Sequence, residues 1–261
     1  MAIQISKILR DKKALILSLD QGLEHGPSTF NEHTINPENL LKLALESQYT
    51  GVVLTPGVAE KYYHAAYKDV PLIVKLNGKS SLGSLDPDSR QFCSVEHAVK
   101  LGADAVGYTI YDGSKAETHQ FQEFGKIVEE AHSYGLPVIA WMYPRGAGVH
   151  EHDTNTIAYA ARIGLELGAD FVKVKYNHDP AGFRWVVKAA GKAKVLAADL
   201  EDADTNATLN YAFEAVNAGA TGLAFGRSIW QHPKPFKLAR ALNGIVFHHK
   251  TVQEVLPFLE D

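Results

Sequence analysis

Short apolar segments alternate with longer amphipathic segments along most of the chain. Eight apolar runs recur, at residues 14–20, 51–56, 71–77, 105–111, 137–143, 171–176, 194–199 and 222–228. Runs of this length, bounded by turn-forming residues, predict buried β-strands. Most of the intervening segments carry apolar residues at helical spacing. The pattern therefore predicts strands and helices in regular alternation.

Local signals mark where several helices begin and end. Asn36-Pro37-Glu38 and Asp179-Pro180 each place a capping side chain before a proline at the first helical position. At the other end, glycine precedes the next apolar run in several segments, as a left-handed C-cap requires. These segments are Leu101-Gly102-Ala103-Asp104, Tyr134-Gly135-Leu136-Pro137, Leu167-Gly168-Ala169-Asp170 and Ala218-Gly219-Ala220-Thr221.

Eight strand-and-helix units in 261 residues predict a parallel sheet closed into a (β/α)8 TIM barrel. The alternative is a doubly wound open sheet, which requires no closure between its first and last strands. The chain contains 46% hydrophobic and 21% charged residues, and no linker-like stretch interrupts it. We therefore expect one α/β domain spanning residues 1–261.

Charge, hydrophobicity and cysteine content exclude several kinds of partner and site. The net charge is −4 and basic residues cluster only in isolated pairs such as Lys12-Lys13, which argues against a nucleic-acid surface. Residues 1–5 lack the features of a signal peptide, and no apolar run reaches membrane-spanning length. We therefore expect a cytoplasmic protein without a membrane partner. Cys93 is the only cysteine, which excludes an intrachain disulfide and a cysteine-rich metal site.

Two lysines lie inside a predicted strand. Lys173 and Lys175 belong to the segment FVKVKY at 171–176, and side chains two residues apart on a strand share a face, roughly 6.6 Å apart. One amine is then expected to face another cation in a half-desolvated site. Because desolvation and like-charge repulsion both lower the pKa of an ammonium group, the expected product is a nucleophilic amine.

Polar residues also end the other predicted strands, where a barrel places its active site. They are Asp20, Lys75, Asn77, Tyr111, Trp141, Tyr143, Lys173, Lys175, Asp199, Arg227 and Ser228. Alternation puts several of them on faces that converge on the barrel interior. A structural ion pair is the simpler interpretation for Lys75 and an alternative for Lys173 with Asp20. An alternative for Trp141 and Tyr143 is that they are core aromatic residues whose polar atoms find hydrogen-bond partners.

A reactive lysine, a carboxylate and a phenol together favour Schiff-base chemistry on a carbonyl substrate. The amine attacks a ketone, and the resulting iminium withdraws electrons from the neighbouring carbon–carbon bond. Tyr143 can exchange protons with an oxygen at the reacting centre, and Asp20 can orient Lys173 or hold substrate hydroxyls. This chemistry requires neither a metal nor a cofactor.

Segments throughout the chain resemble those of one known family. They are Leu19-Asp20-Gln21-Gly22-Leu23-Glu24-His25-Gly26-Pro27, Gly57-Val58-Ala59-Glu60-Lys61-Tyr62-Tyr63, Leu76-Asn77-Gly78-Lys79, Gly107-Tyr108-Thr109-Ile110-Tyr111 and Trp141-Met142-Tyr143-Pro144-Arg145-Gly146. Together they are similar to the archaeal-type class I fructose-1,6-bisphosphate aldolases of the DeoC/LacD group. The resemblance implies a ketose-phosphate lyase without a metal. It further implies a homo-oligomer, often of ten subunits.

The same resemblance assigns residues. It implies that Lys173 forms the Schiff base, that Tyr143 is the general acid and base, and that Asp20 and Trp141 support them. Lys175 shares the face of Lys173 and is expected to contact substrate.

The chain departs from this family in two places. Gln21 stands where the family usually has histidine. After the predicted seventh strand, residues 196–204 replace a glycine-rich turn that binds phosphate, and they include Asp199. Glycine lets a backbone approach phosphate closely, whereas carboxylates repel it. Gly226 and Arg227 keep the second half of a barrel phosphate site, although Arg227 can instead pair with Asp199.

Other functions stay open at this stage. A Schiff-base transaldolase or sugar synthase with altered phosphate recognition is one, and a non-catalytic binding or assembly barrel is another. The presence of Asp20, Tyr143 and Lys173 together speaks against the non-catalytic barrel. A metal-dependent aldolase would have to use His25, His150 and His152 as ligands.

Overall fold

Parallel strands close into a barrel in the computed structural model, which describes residues 2–82, 87–200 and 203–260. Within these residues the barrel strands are β1 (Ala14–Ser18), β2 (Gly51–Leu54), β3 (Leu72–Lys75), β6 (Ala105–Ile110), β7 (Val138–Met142), β8 (Phe171–Val174), β9 (Lys194–Ala198) and β10 (Gly222–Phe225). Each pairs with the next along the chain, and β10 pairs with β1. The short strands β4 (Asn77–Gly78) and β5 (Arg90–Gln91) pair beside the barrel. Closure confirms the predicted (β/α)8 barrel over the open sheet.

Helices surround the barrel. They are α1 (Gln21–His25), α2 (Pro37–Glu46), α3 (Pro56–Tyr62), α4 (Val95–Lys100), α5 (Glu117–Ser133), α6 (Thr154–Glu166), α7 (Pro180–Ala189), α8 (Thr205–Asn217), α9 (Arg227–Trp230), α10 (Pro235–His248) and α11 (Val252–Val255). The side chains of Asn36 and Asp179 accept hydrogen bonds from backbone amides of the first turns of α2 and α7, as predicted. Gly102 ends α4 with a φ of 85°, which a side chain disfavours.

Successive side chains along each strand point to opposite sides of the sheet, so the apolar residues form two layers. Val172 and Val174 point outward into the large cluster between the strands and the helices. Phe171 and its counterparts on neighbouring strands point inward and form a separate cluster inside the barrel. Ile8, on a 3-10 helix at Ile5–Ile8, is fully buried in this inner cluster. The interior is thus filled with apolar side chains, and a polar cavity opens at the carboxyl ends of the strands.

No helix in the described part of the chain is both long enough and apolar enough to span a membrane.

Candidate active site

A cavity of about 410 Å³ opens at the carboxyl ends of the strands. Its lining includes most of the polar residues that the sequence placed there, namely Asp20, Lys75, Tyr111, Trp141, Tyr143, Lys173, Lys175, Asp199 and Arg227. Asn77 is instead fully buried, where its side-chain amide bonds to the backbone of Ser89 and Thr109. Asn77, on β4, therefore links this short strand to β6 and is absent from the cavity lining.

Lys173 is the most deeply buried amine of this cavity after Lys75. It lies near the end of β8, is 4% exposed, and donates a hydrogen bond of 3.3 Å to the hydroxyl of Ser18 on β1. Burial lowers the pKa of Lys173, while the carboxylates of Asp20 and Asp199 partly oppose this effect. A neutral amine is accordingly favoured more than in a solvated lysine.

Lys75, and not Lys175, is the neighbouring cation that lowers the pKa of Lys173. Lys175 follows the end of β8 and lines the same cavity as Lys173, as the alternation of this segment predicts, but it is not the cation that acts on Lys173. Its ammonium group instead lies 3.1 Å from the carboxylate of Glu151. Glu151 also forms an ion pair with Arg145 at 3.3 Å. Nothing in the sequence around Glu151 marked it as this partner.

Asp20 forms an ion pair with Lys75. Its Oδ2 lies 3.2 Å from Nζ of Lys75, and the two side chains are only 11% and 3% exposed. Lys75 is thus in an ion pair, as the structural interpretation expected, and the carboxylate of Asp20 pairs with Lys75 and not with Lys173. Asp20 still raises the pKa of Lys173 through space.

The indole of Trp141 lies beneath both buried ammonium groups. Nζ of Lys75 is 5.4 Å from the ring centroid and Nζ of Lys173 is 5.5 Å from it. At this range the face of the ring attracts a cation. Gly107 makes room for the indole, since a Cβ at this position would lie 2.1 Å from the ring. The glycine of the neighbouring strand thus positions Trp141.

Two phenols line the cavity. Tyr143 is partly exposed to it, and burial raises the pKa of its hydroxyl well above the usual range, with further increments from Asp20 and Glu24. Burial likewise raises the pKa of Tyr111 to about 12. Both phenols are therefore protonated at neutral pH and can donate a proton to a substrate oxygen.

Asp199 caps the segment that follows β10. Its Oδ2 accepts hydrogen bonds from the amides of Gly226 and Ser228, at 2.9 and 3.2 Å, and its Oδ1 accepts one from the hydroxyl of Ser228. Burial raises the pKa of Asp199, and these donors oppose the effect. Arg227 lines the cavity beside this cap. The predicted turn includes residues 201–202, which lie outside the described residues.

The cavity also contains residues that sequence reasoning assigned no role. These are Gln21, Glu24, Lys79, Ser81, Pro87, Thr109, Arg145 and Ala198. Only His25 of the three histidines proposed as metal ligands lines this cavity. Among the described residues, no group of three or more histidine, cysteine or carboxylate side chains is arranged to hold a metal ion.

Comparison with known proteins places this site in a family. Residues 14–232 match the DeoC/LacD family aldolases. The fructose-bisphosphate aldolase class 1 of Thermoproteus tenax is 47% identical over 251 residues, which cover 95% of this chain and 94% of that protein. The 2-amino-3,7-dideoxy-D-threo-hept-6-ulosonate synthase 1 of Archaeoglobus fulgidus is 33% identical, covering 98% of this chain and 94% of that protein.

Solved structures agree with the sequence relatives. In one archaeal fructose-1,6-bisphosphate aldolase, the catalytic lysine is covalently bound to the carbinolamine intermediate of the substrate. That structure superimposes with a TM-score of 0.87 at 44% identity, covering 92% of this chain and 97% of that one. A buried amine in a polar barrel cavity, a matching family and matching folds lead to one conclusion. The chain belongs to the DeoC/LacD family of aldolases and is a lyase.

Proposed function

We propose that this protein is a class I aldolase that reversibly cleaves a ketose phosphate through an iminium on Lys173. The observation that carries the proposal is the burial of Lys173 against Ser18, which lowers the pKa of its amine inside the cavity. The neutral amine adds to the substrate carbonyl, and the carbinolamine loses water to give the iminium. The electron pair of the breaking carbon–carbon bond then moves to the iminium nitrogen, which leaves an enamine and releases an aldehyde.

Tyr143 is the proposed proton carrier. Its raised pKa keeps the phenol protonated, so that it can donate to the carbinolamine hydroxyl as water leaves. The resulting phenolate can accept the hydroxyl proton of the departing aldehyde, which restores the phenol. Asp20 and Trp141 position the charges around the reacting nitrogen. Lys175, Asp199, Gly226 and Arg227 are the proposed substrate contacts.

A sugar phosphate is the proposed substrate class for two reasons. The relative from Thermoproteus tenax is a fructose-bisphosphate aldolase. Lys79, Arg145, Lys175 and Arg227 also bring basic side chains to the cavity lining, and basic groups recognise phosphate. We therefore propose a role in glycolysis or gluconeogenesis.

A related synthase or transaldolase is the second candidate. It would form the same iminium but pass the carbon unit to another acceptor. The similarity to the heptulosonate synthase of Archaeoglobus fulgidus supports it, and so does the carboxylate of Asp199 near Gly226. A non-catalytic barrel is disfavoured because Lys173, Tyr143 and Asp20 all line the cavity.

Reductive trapping tests the mechanism. The protein would be incubated with fructose 1,6-bisphosphate and with dihydroxyacetone phosphate, reduced with borohydride, and mapped by peptide mass spectrometry. We expect one sugar fragment attached at Lys173, because borohydride reduces only an iminium to a stable amine. Lys173→Met should lose the adduct, whereas Lys175→Met should keep it at Lys173. An adduct at another lysine, or no adduct with any ketose, would remove the mechanism.

We further propose a single-domain subunit that assembles into a cytoplasmic homo-oligomer, with the decamer typical of the family. The side chains of Tyr159 on α6 and Trp185 on α7 support a contact surface, since they are 70% and 56% exposed. Light scattering during size-exclusion chromatography would measure the subunit number. Trp185→Glu should lower it if this surface is the contact.

A further inference from the structure

We propose that the end of the substrate nearest Lys173 carries a hydroxyl group and no phosphate, and that Asp199 and Gln21 select it. This inference rests on the proposed aldolase function and defines its substrate more closely. The substrate would be a ketose with an unphosphorylated carbon beside the carbonyl. Cleavage would then yield an unphosphorylated ketone.

The first observation is that Asp199 occupies the backbone donors of a barrel anion site. Barrels frequently bind phosphate between the loops after their seventh and eighth strands, at the start of a short extra helix. Here those strands are β9 and β10, and the short helix is α9. The amides of Gly226 and Ser228, with the hydroxyl of Ser228, all donate to the carboxylate of Asp199. These three donors at the start of α9 are therefore already taken by a side chain of the same chain.

The second observation concerns Gln21, which approaches Gly226 from the β1 side. A Cβ at Gly226 would lie 2.8 Å from the carbonyl oxygen of Ser18 and 2.9 Å from Nε2 of Gln21. The space beside Gly226 is therefore closed from this direction as well. Gln21 lines the cavity, and its Oε1 is buried without a hydrogen-bond partner among the described residues. A buried acceptor of this kind calls for a donor from the ligand.

Charge decides between a hydroxyl and a phosphate at this position. The ionised carboxylate of Asp199 and the unpaired Oε1 of Gln21 accept hydrogen bonds, so these oxygens suit an O–H donor. A phosphate dianion offers these oxygens only further acceptors, and its negative charge is repelled strongly by the carboxylate in a partly buried site. Asp199 also acts electrostatically on Lys173, which places it beside the carbonyl end of a bound ketose.

Any phosphate of the substrate is then expected at the other end. Arg145 and Lys79 line the same cavity, and the Arg145 side chain is 45% exposed, so it lies towards the mouth. A ketose monophosphate extended from Lys173 to this rim would place its charge there. Its aldehyde product would carry the phosphate.

Trapping with a matched pair of ketones tests the inference without any variant. Dihydroxyacetone and dihydroxyacetone phosphate differ only in the phosphate next to the carbonyl. Cyanoborohydride trapping at limiting concentrations, followed by intact and peptide mass, gives the rate of adduct formation at Lys173 for each. We expect the phosphate to increase this rate by less than about threefold, because the donors beside it are occupied by Asp199. A charged hydrogen bond to the phosphate would instead increase the rate by about tenfold or more.

A rate higher by about tenfold or more with the phosphate would overturn the inference and leave the aldolase proposal intact. No adduct at Lys173 with either ketone would overturn the aldolase proposal itself. The two failures are thus distinguishable.

Asp199→Gly adds a direct test of the determinant. Freeing the amides of Gly226 and Ser228 should raise the preference for the phosphorylated ketone by about tenfold or more. Ser228→Ala is the matched control, since it removes one donor but keeps the carboxylate, and should change the preference by less than about threefold. An equal change in both variants would contradict selection by Asp199. If Asp199→Gly loses its circular dichroism signal, the ratio measured on the unmodified protein decides the question alone.

Discussion

Asp20 and Lys75 form a buried ion pair whose atoms lie 3.2 Å apart, directly beside the amine of Lys173. The carboxylate therefore neutralises Lys75 rather than Lys173. Among the described residues, the hydrogen bond of the Lys173 amine goes to the hydroxyl of Ser18. A hydroxyl stabilises an ammonium ion less than a carboxylate does, so the neutral and reactive amine is easier to form.

The first prediction concerns the pH dependence of trapping at Lys173. Only the neutral amine reacts, so the rate rises as pH increases through the pKa of Lys173, which lies below that of a free lysine. Lys75→Met removes a like charge and leaves Asp20 facing Lys173. Both changes raise the pKa, so the midpoint should move to higher pH, by on the order of one unit.

Asp20→Asn should move the same midpoint to lower pH, because it removes the attraction and leaves Lys75 charged. The rate of cyanoborohydride trapping from pH 6 to pH 10 measures both variants. Lys42→Met is the control, since this side chain is 60% exposed and pairs with Glu46 on the outside of α2. Shifts in the same direction for Lys75→Met and Asp20→Asn would rule out this electrostatic account.

The second prediction identifies the proton carrier. Tyr143→Phe should still form the iminium, but more slowly because the phenol no longer donates to the leaving water, and it should slow carbon–carbon cleavage by roughly 10²-fold or more, the usual effect of losing a positioned acid or base. Single-turnover kinetics separate the two steps. Tyr111→Phe is the matched control, because Tyr111 is a second phenol in the same cavity. A cleavage defect confined to Tyr111→Phe would transfer the role to that residue.

The third prediction concerns the packing of the Trp141 indole against Gly107. Gly107→Ala would bring a methyl group 2.1 Å from the ring, so the indole must move. We expect a loss of about 1–3 kcal/mol in the free energy of unfolding, as for other overpacked sites, together with slower trapping at Lys173. Urea denaturation measures the first effect.

Gly125→Ala provides the control for this substitution. Gly125 lies within α5, and a Cβ there would meet nothing within 4 Å. Alanine should therefore stabilise the helix by about 0.5–1 kcal/mol. Equal stability changes at Gly107 and Gly125 would show that the Trp141 contact has no influence.

The fourth prediction is that activity survives exhaustive chelation. The iminium on Lys173 accepts the electron pair of the breaking bond, which is the role of the metal ion in a metal-dependent aldolase. The cleavage rate after EDTA treatment and desalting should equal that of untreated protein. Loss of activity that zinc restores would return attention to the histidines, with His25 first because it lines the cavity.

Several features of this protein follow from local sequence. The apolar runs, the capping residues such as Asn36 and Asp179, and the glycines after the helices specify eight strand-and-helix units, because each signal acts within a few residues. A lysine in a buried strand stands out for the same reason. The sequence alone is therefore enough to identify Lys173 as a candidate nucleophile.

The partners of the charged groups were decided only by the tertiary structure. Ser18 and Lys173 are 155 residues apart and meet because β1 and β8 belong to one closed barrel and both side chains point into it. Alternation along a single strand suggested Lys175 as the neighbouring cation, but the ammonium group of Lys175 pairs with Glu151, and Lys75 is the cation that lowers the pKa of Lys173. Such pairings depend on how the strands and loops are arranged in space.

For Asp199 too, the sequence determined the side chain and the tertiary structure determined its partners. The sequence revealed a carboxylate where a phosphate-binding turn was expected, and left open whether it would face Arg227. The barrel places Asp199 against the amides of Gly226 and Ser228, at the end of the adjacent strand β10. Sequence determines which groups a chain carries, because side-chain chemistry is local. The folded barrel determines which of them meet, because hydrogen bonds and ion pairs act only over a few ångströms between residues distant in the chain.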